Sequence, residues 1–281
     1  MNAPWRAQDP ETPEREAEAS LVFARGGGRT FLASQSAPYP FHITRPHRLD
    51  AERPDIATVY LQSAAGGLDR GDRLRLSLQA RPGAAAHVTS QAATVVHRAA
   101  EQRIDVATRL EALPGATLAL TSDPYILFPG TALSATTETI LHPGASALIA
   151  EGFAVHDPLG AARPFAALET ASRVRSADGR LLVDDRARFE GEDFAGGDGP
   201  LAGFRAFGAV FVLGGAIDPA LVEARLDAVG VLAGASRLPN HAGWGVRLLA
   251  SDGGRLARGL EIAFAIGFEA LIGCAPARRR K

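Results

Sequence analysis

Leu78-Gln79-Ala80-Arg81-Pro82-Gly83-Ala84, Leu110-Glu111-Ala112-Leu113-Pro114-Gly115-Ala116 and Thr139-Ile140-Leu141-His142-Pro143-Gly144-Ala145 are three versions of one phrase. The prolines lie 32 and then 29 residues apart. Each Pro-Gly opens an alternating stretch: Ala84/Ala86/Val88, then Ala116/Leu118/Leu120, then Ala145/Ala147/Ile149. A period of two with one apolar face marks a half-buried strand. A turn and a strand that recur about every thirty residues predict β units stacked along one continuous core. Small alanines at the start of each strand let successive layers approach closely. The expected fold is mainly β, a superhelical or β-helix-like stack of strands.

Outward from the repeat, Asp72 to Ala80 alternates Leu74, Leu76, Leu78 and Ala80 with Arg73, Arg75, Ser77 and Gln79. Residues 56–63 are rich in β-branched and aromatic side chains, and Gly66-Gly67-Leu68-Asp69-Arg70-Gly71-Asp72 lies between the two runs. This pattern predicts a hairpin. The same reasoning predicts one core shared by Leu74, Leu76, Leu78, Val88, Leu118, Leu120 and Ile149. Residues 1–20 are expected to be disordered, since their Pro- and Glu-rich run offers few large apolar side chains. A single β-rich domain should then occupy 21–281. Within it, residues 29–33 read as a short strand and 45–54, with two prolines, as a loop. Residues 172–176 and 181–189 read as a hairpin around Asp178-Gly179, 190–203 as an acidic glycine-rich loop, and 206–213 as a buried strand. Two helices are expected in the C-terminal half. Asp218 can cap the first, with Pro219 at its first position; the second spans about 255–272, with Leu256, Leu260, Phe264 and Phe268 at helical spacing. The basic run Arg278-Arg279-Arg280-Lys281 reads as a solvated end.

Composition closes several doors. Lys281 is the only lysine, so neither a phosphate-binding Gly-Lys-Ser/Thr loop nor a Schiff-base lysine is possible. Cys274 is the only cysteine, which excludes an intrachain disulfide and a multi-cysteine metal cage and suits a cytoplasmic location. Formal net charge is −1, which gives no field for nucleic acid or anionic membrane. The chain has no apolar run of about 18 residues. It also lacks a Gly-x-Ser-x-Gly elbow and a His-Glu-x-x-His motif. The run Gly197-Asp198-Gly199-Pro200-Leu201-Ala202 does not join a strand to a helix as a dinucleotide loop must. His87 and His97 flank the 89–96 stretch, and a lone histidine on a β surface is read as a hydrogen-bonding residue. His156-Asp157-Pro158 follows the third repeat strand and reads as a turn before proline. A β stack without assembled chemistry points to a scaffold rather than an enzyme.

Several strings, in order, carry a family resemblance. Gly66-Gly67-Leu68-x-x-Gly71-Asp72-x-Leu74, Ala86-His87-Val88-Thr89-Ser90-Gln91-Ala92-Ala93-Thr94 and Leu120-Thr121-Ser122-Asp123-Pro124-Tyr125-Ile126-Leu127-Phe128-Pro129-Gly130 resemble successive segments of the UreD (UreH) urease accessory proteins. Arg29-Thr30-Phe31-Leu32-Ala33 is similar to the family's opening, and Asp178-Gly179-Arg180 and Val246-Arg247-Leu248 to its C-terminal half. The chain departs from the pattern at Val155-His156-Asp157-Pro158 and at its C-terminus, where the common Pro-Arg-x-Trp ending is missing.

The resemblance implies a nickel-insertion scaffold that docks apo-urease with the accessory proteins F and G. It would have no cofactor of its own: nickel is cargo, and GTP belongs to the partner GTPase G. Exposed apolar patches, with Val210, Phe211, Phe264 and Phe268 as contributors, would make the chain depend on a partner for solubility. Weak, exchangeable nickel ligands are expected near the ends of the repeat strands, at His97, Asp123, His156 and Asp157. Two rival classes are a β-helical carbohydrate-active enzyme and a generic β-repeat interaction module. The adjacent Asp184 and Asp185 alternate across a strand, which argues against the paired carboxylates of the first.

Overall fold

The computed structural model describes residues 14–99, 102–194, 201 and 203–279. In chain order the strands are β1 (Glu16–Gly26), β2 (Arg29–Ser36), β3 (Phe41–Ile43), β4 (Ala57–Ser63), β5 (Arg73–Ala80), β6 (Ala85–Ser90) and β7 (Thr94–Val96). Next come β8 (Ile104–Ala112), β9 (Thr117–Thr121), β10 (Tyr125–Leu127), β11 (Ala132–Leu141), β12 (Ser146–Val155), β13 (Ala167–Ser176) and β14 (Leu181–Glu190). The chain continues through β15 (Ala206–Leu213), α1 (Pro219–Asp227), β16 (Val231–Arg237), β17 (Gly243–Ala250) and α2 (Gly253–Ile272). The fold is mainly β with two α-helices, and its coils stack as in a β-solenoid.

The repeated Pro-Gly phrase is where each coil bends from one sheet to the other. Gly83, Gly115 and Gly144 sit at φ of 66°, 67° and 69°, a region that suits glycine because it lacks a Cβ. Inside each turn one backbone bond repeats: Ala84 to Arg81, Ala116 to Leu113 and Ala145 to His142. Between turns, Gly83 N–H donates to the Pro114 carbonyl at 3.1 Å and Gly115 N–H to the Pro143 carbonyl at 3.2 Å. The three corners therefore lie one upon another. Strand register follows: Leu78 pairs with Leu110 in the parallel β5–β8 ladder, and Leu110 with Thr139 in β8–β11. These offsets repeat the proline spacing.

Two sheets result. One is ordered β14-β13-β11-β8-β5-β1-β2, the other β16-β17-β15-β12-β9-β6-β4-β3. Between them lies a core holding Leu76, Leu78, Val88, Leu118, Leu120 and Ile149. Leu74, expected in the same group, belongs to a neighbouring cluster with Phe153, Phe165 and Phe189. The helix α2 packs on the outer face of the second sheet through Leu256, Leu260, Ala263 and Phe264. Asp218 caps α1 by accepting from Ala220 N–H, and Asp252 caps α2 by accepting from Arg255 N–H. The hairpin around Asp178-Gly179 forms as β13 and β14.

Some expectations give way. Residues 56–63 and 72–80 do not form a hairpin: β4 pairs with β3 and β6 in one sheet, and β5 with β1 and β8 in the other. The glycine-rich segment between them is an arch. Order also begins before residue 21, because β1 starts at Glu16. Its Ala17 and Ala19 are buried and alternate with exposed Glu16 and Glu18, in parallel register with β5. Small side chains suffice there because a waiting strand edge supplies the hydrogen bonds. Arg15, just ahead, donates through Nε to Asp72 Oδ1 at 2.8 Å, and the Asp72 side chain is fully buried. Residues 1–13 lie outside the described residues, as do 195–200 and 202 of the acidic glycine-rich run. Val210, Phe211, Phe264 and Phe268, expected to be exposed, are buried. Among the described residues the exposed large apolar side chains are instead Phe31, Tyr39, Leu159, Leu181, Leu221 and Leu232.

Candidate functional site

The inner face of β12 carries Ala147, Ile149, Glu151 and Phe153 in alternation, so a carboxylate stands in a row of apolar side chains. It faces the space between the sheets. Ser172 on β13 donates its hydroxyl to Glu151 Oε1 at 2.9 Å. Burial raises the Glu151 pKa above the usual carboxylate range, and the Asp185 charge adds to the rise; the Ser172 bond and the Arg247 charge oppose it. Arg247 is paired with Asp185 and lies over the rings of Phe207 and Phe211, 6.0 and 5.3 Å from their centroids. Its Nη1 is buried without a hydrogen-bond partner among the described residues. Tyr125 is half-buried in the same region, and its hydroxyl is pushed up to about 12, chiefly by desolvation and then by the Glu151 charge.

Two cavities occupy this inter-sheet space. The larger, of about 250 Å³, runs from Phe41, Leu61 and Gln91 to Ser122, Asp123 and Tyr125. The smaller, of about 60 Å³, continues past Asp123 and Tyr125 to Thr137, Glu151 and Thr170. A third, of about 150 Å³, lies on the other side of the second sheet, between that sheet and α2. All three are lined by Ser122 and Asp123, in the link between β9 and β10. The Asp123 N–H donates to Ser90 Oγ at 2.6 Å, which fixes this link against β6. Hydroxyls and carboxylates thus recur along a path that an ordinary core would fill with hydrocarbon.

Of the residues singled out from sequence, Asp123 lines this path. The other three stand apart from the cavity linings. His97 lies edge-on to Phe128 at 5.5 Å between ring centroids, and His156 packs on the same ring at 5.7 Å. Asp157 is tied into its own loop: it accepts from Arg163 at 2.7 Å and from the backbone N–H groups of Leu159 and Arg163. The Arg163 guanidinium, with those N–H bonds, holds the Asp157 carboxyl well below its usual range. No cluster of three or more His, Cys, Asp or Glu side chains among the described residues is placed to hold a metal. Asp184 is paired with Arg173 and Arg186, and Asp185 with Arg247. The two carboxylates of that strand are therefore engaged separately.

Sequence reasoning missed Glu151, although a signal was present: it stands two residues from Ile149 and two from Phe153, both inward-facing. It also missed the fate of the basic tail. Arg279 is not solvated; its guanidinium grips the buried carboxylate of Asp50 with bonds of 2.8 and 2.9 Å. His87, expected on a β surface, is buried beneath that arginine and stacks on Phe264 at 4.8 Å.

Two stacked β sheets with polar-lined cavities between them, and two helices, define a β-solenoid-like class of protein. The comparisons with known proteins give the family. Residues 15–281 match the family model described as UreD urease accessory protein. Similar relatives named urease accessory protein UreD 1 come from Methylorubrum populi, 52% identical over 95% of this chain and 92% of that protein, and Methylorubrum extorquens, 50% identical over 99% and 96%. A Bradyrhizobium protein of the same name is 45% identical over 95% of each chain. The chain belongs to the UreD urease accessory protein family. No helix among its described residues is long and apolar enough to cross a membrane.

Proposed function

We propose that this protein is a non-catalytic scaffold of urease maturation in the cytoplasm, which docks apo-urease together with accessory proteins F and G and conducts nickel between its two sheets. The observation that carries the reading is Glu151, a half-buried, desolvated carboxylate facing a cavity that also holds Asp123, Ser122 and Thr137. With Asp185 offset by Arg247, Glu151 brings negative charge to the path when ionised, which favours entry of a cation. Transit also needs weak ligands. A metal ion must displace the proton that burial favours on Glu151, so binding is weaker there than at an exposed carboxylate and depends on pH. Oxygen ligands presented one or two at a time let a borderline divalent ion move on, where a closed nitrogen or thiolate cage would retain it. Nickel is cargo in this scheme, and GTP is bound by protein G.

The test is nickel content of urease matured at limiting metal with the Asp123→Asn, Glu151→Gln double variant, after co-purification shows that its complex with F, G and apo-urease forms. The expected result is an assembled complex that leaves urease nickel-poor. Full loading would overturn conduction through the interior, and failure of the wild-type chain to co-purify with F would overturn the docking role.

A further inference from the structure

The cavity under α2 has one wall of a different kind. Thr89, Thr121 and Ala150 form its floor on the second sheet, and Leu260 and Phe264 line it from the helix. Residues 276–279 complete it from the segment that leaves α2 after Gly273, a residue in the left-handed region at φ 88°. Through Ser122 and Asp123 this cavity abuts both inter-sheet cavities.

What holds residues 276–279 in place is concentrated at one point. The Arg279 guanidinium donates twice to Asp50, and its Nε donates to His87 Nδ1 at 3.1 Å. Ala277 N–H donates to Asp50 Oδ1 at 2.8 Å. Among the described residues, every hydrogen bond from this segment to the rest of the chain ends on Asp50 or His87. The arginine also lies over two neighbouring rings, 5.6 Å from the centroids of both Phe264 and Phe268. His87 in turn donates from Nε2 to Thr121 Oγ1 at 2.7 Å, which leaves its Nδ1 free of a proton and able to accept from Arg279. A buried carboxylate, an oriented imidazole and two rings therefore make a receptor shaped for one guanidinium.

We propose that residues 276–279 are a strap over a side entrance to the interior passage, with Arg279 as its latch. The inference rests on the passage reading above for what travels, but not for whether the entrance opens. A lid held at many separate points opens only with its surroundings, whereas one whose bonds converge on one carboxylate and one imidazole opens when that one point lets go. Asp50 and Arg53 tie the strap and the end of α2 to one loop, since Arg53 donates to the Ile272 carbonyl at 3.0 Å. The hinge is the turn at Gly273.

The experiment uses the full chain with Cys274→Ser and Ala150→Cys, and follows labelling by a small cationic methanethiosulfonate reagent. Ala150 is 3% exposed and lines both the outer cavity and the smaller inner one. Arg279→Ala is expected to raise the labelling rate about tenfold or more, as local opening replaces a latched state. Asp50→Asn is expected to raise it as well, and Arg279→Lys to give an intermediate rate because an ammonium cannot reach carboxylate and imidazole together. A Val88→Cys reporter in the inter-sheet core, unchanged in rate, shows that the fold has not loosened. Equal labelling of Ala150→Cys with and without Arg279 overturns the strap. No metal is present in this assay, so failure of the passage reading would appear only in urease nickel content.

Discussion

Glu151 is a carboxyl group placed where a hydrocarbon side chain would be more stable. Because burial raises its folded pKa, the stability it contributes is complete below the unfolded value, about 4.3. That contribution is lost as pH rises through the raised folded value. Glu151→Gln keeps an acceptor for Ser172 and removes the penalty. The variant should melt higher than the parent at about pH 8, with the two converging near about pH 4; thermal melts at the two pH values check it. A substitution that stabilises the fold while starving urease of nickel would mark Glu151 as a residue kept for function at a cost in stability. Leucines of the inter-sheet core follow a different rule. Leu118 is fully buried, and Leu118→Ala should cost about 2–5 kcal/mol in denaturant unfolding. Leu120, 6% exposed, already borders the cavities, so Leu120→Ala forfeits fewer contacts and should fall at the lower end of that range, about 2 kcal/mol.

The elements that could be read from the chain are those whose determinants are local. A Pro-Gly corner is set by one residue's freedom at positive φ, so three copies of the phrase revealed three corners and even the register between them. Both helices were legible for the same reason, the first through its Asp218 cap and the second through its apolar spacing, while the Asp252 cap of the second was missed. Pairing partners were not, because alternation shows which face of a strand is buried and not which strand lies beside it. Residues 56–63 and 72–80 read as a hairpin on that account. The tail was opaque for a stronger reason: Arg279 takes its meaning from Asp50, 229 residues away in sequence. In the candidate site Asp123 could be guessed from its place after a repeat strand, while Glu151 was hidden in a strand read only for its hydrocarbon.

The first strand gives a prediction at this scale. Deletion of residues 1–20 removes Arg15 and half of β1, and leaves the Asp72 carboxylate buried without its cation. The expected loss is about 3–5 kcal/mol. Deletion of residues 1–13 leaves every one of those contacts intact and should unfold at the same denaturant concentration as the full chain.

At the scale of the whole molecule, the flat outer face of the first sheet is laced with ion pairs between neighbouring strands, such as Arg75–Glu16, Arg109–Glu138 and Arg188–Glu169. Exposed pairs of this kind contribute little stability, about 0–1 kcal/mol each. Charge reversal of Glu138 and Glu169 together should therefore leave the melting temperature nearly unchanged. If this face meets a partner, the same change should instead reduce co-purification with apo-urease or with protein F.

The ladders themselves change character at their margins. From β1 to β13 in one sheet and from β4 to β12 in the other, the principal neighbours run parallel, while β2, β3, β14 and β15 each lie antiparallel on the strand they cover. A parallel coil offers its next copy the same edge that it used itself, so nothing in the repeat says where to stop. The reversed strands supply that instruction. Stripped of β1 and β2, the chain would present the bare rim of β5 to any other molecule in the same condition, and the arithmetic of the repeat would continue between chains as a fibre. A stack of this kind depends on those few antiparallel strands to be a discrete particle at all.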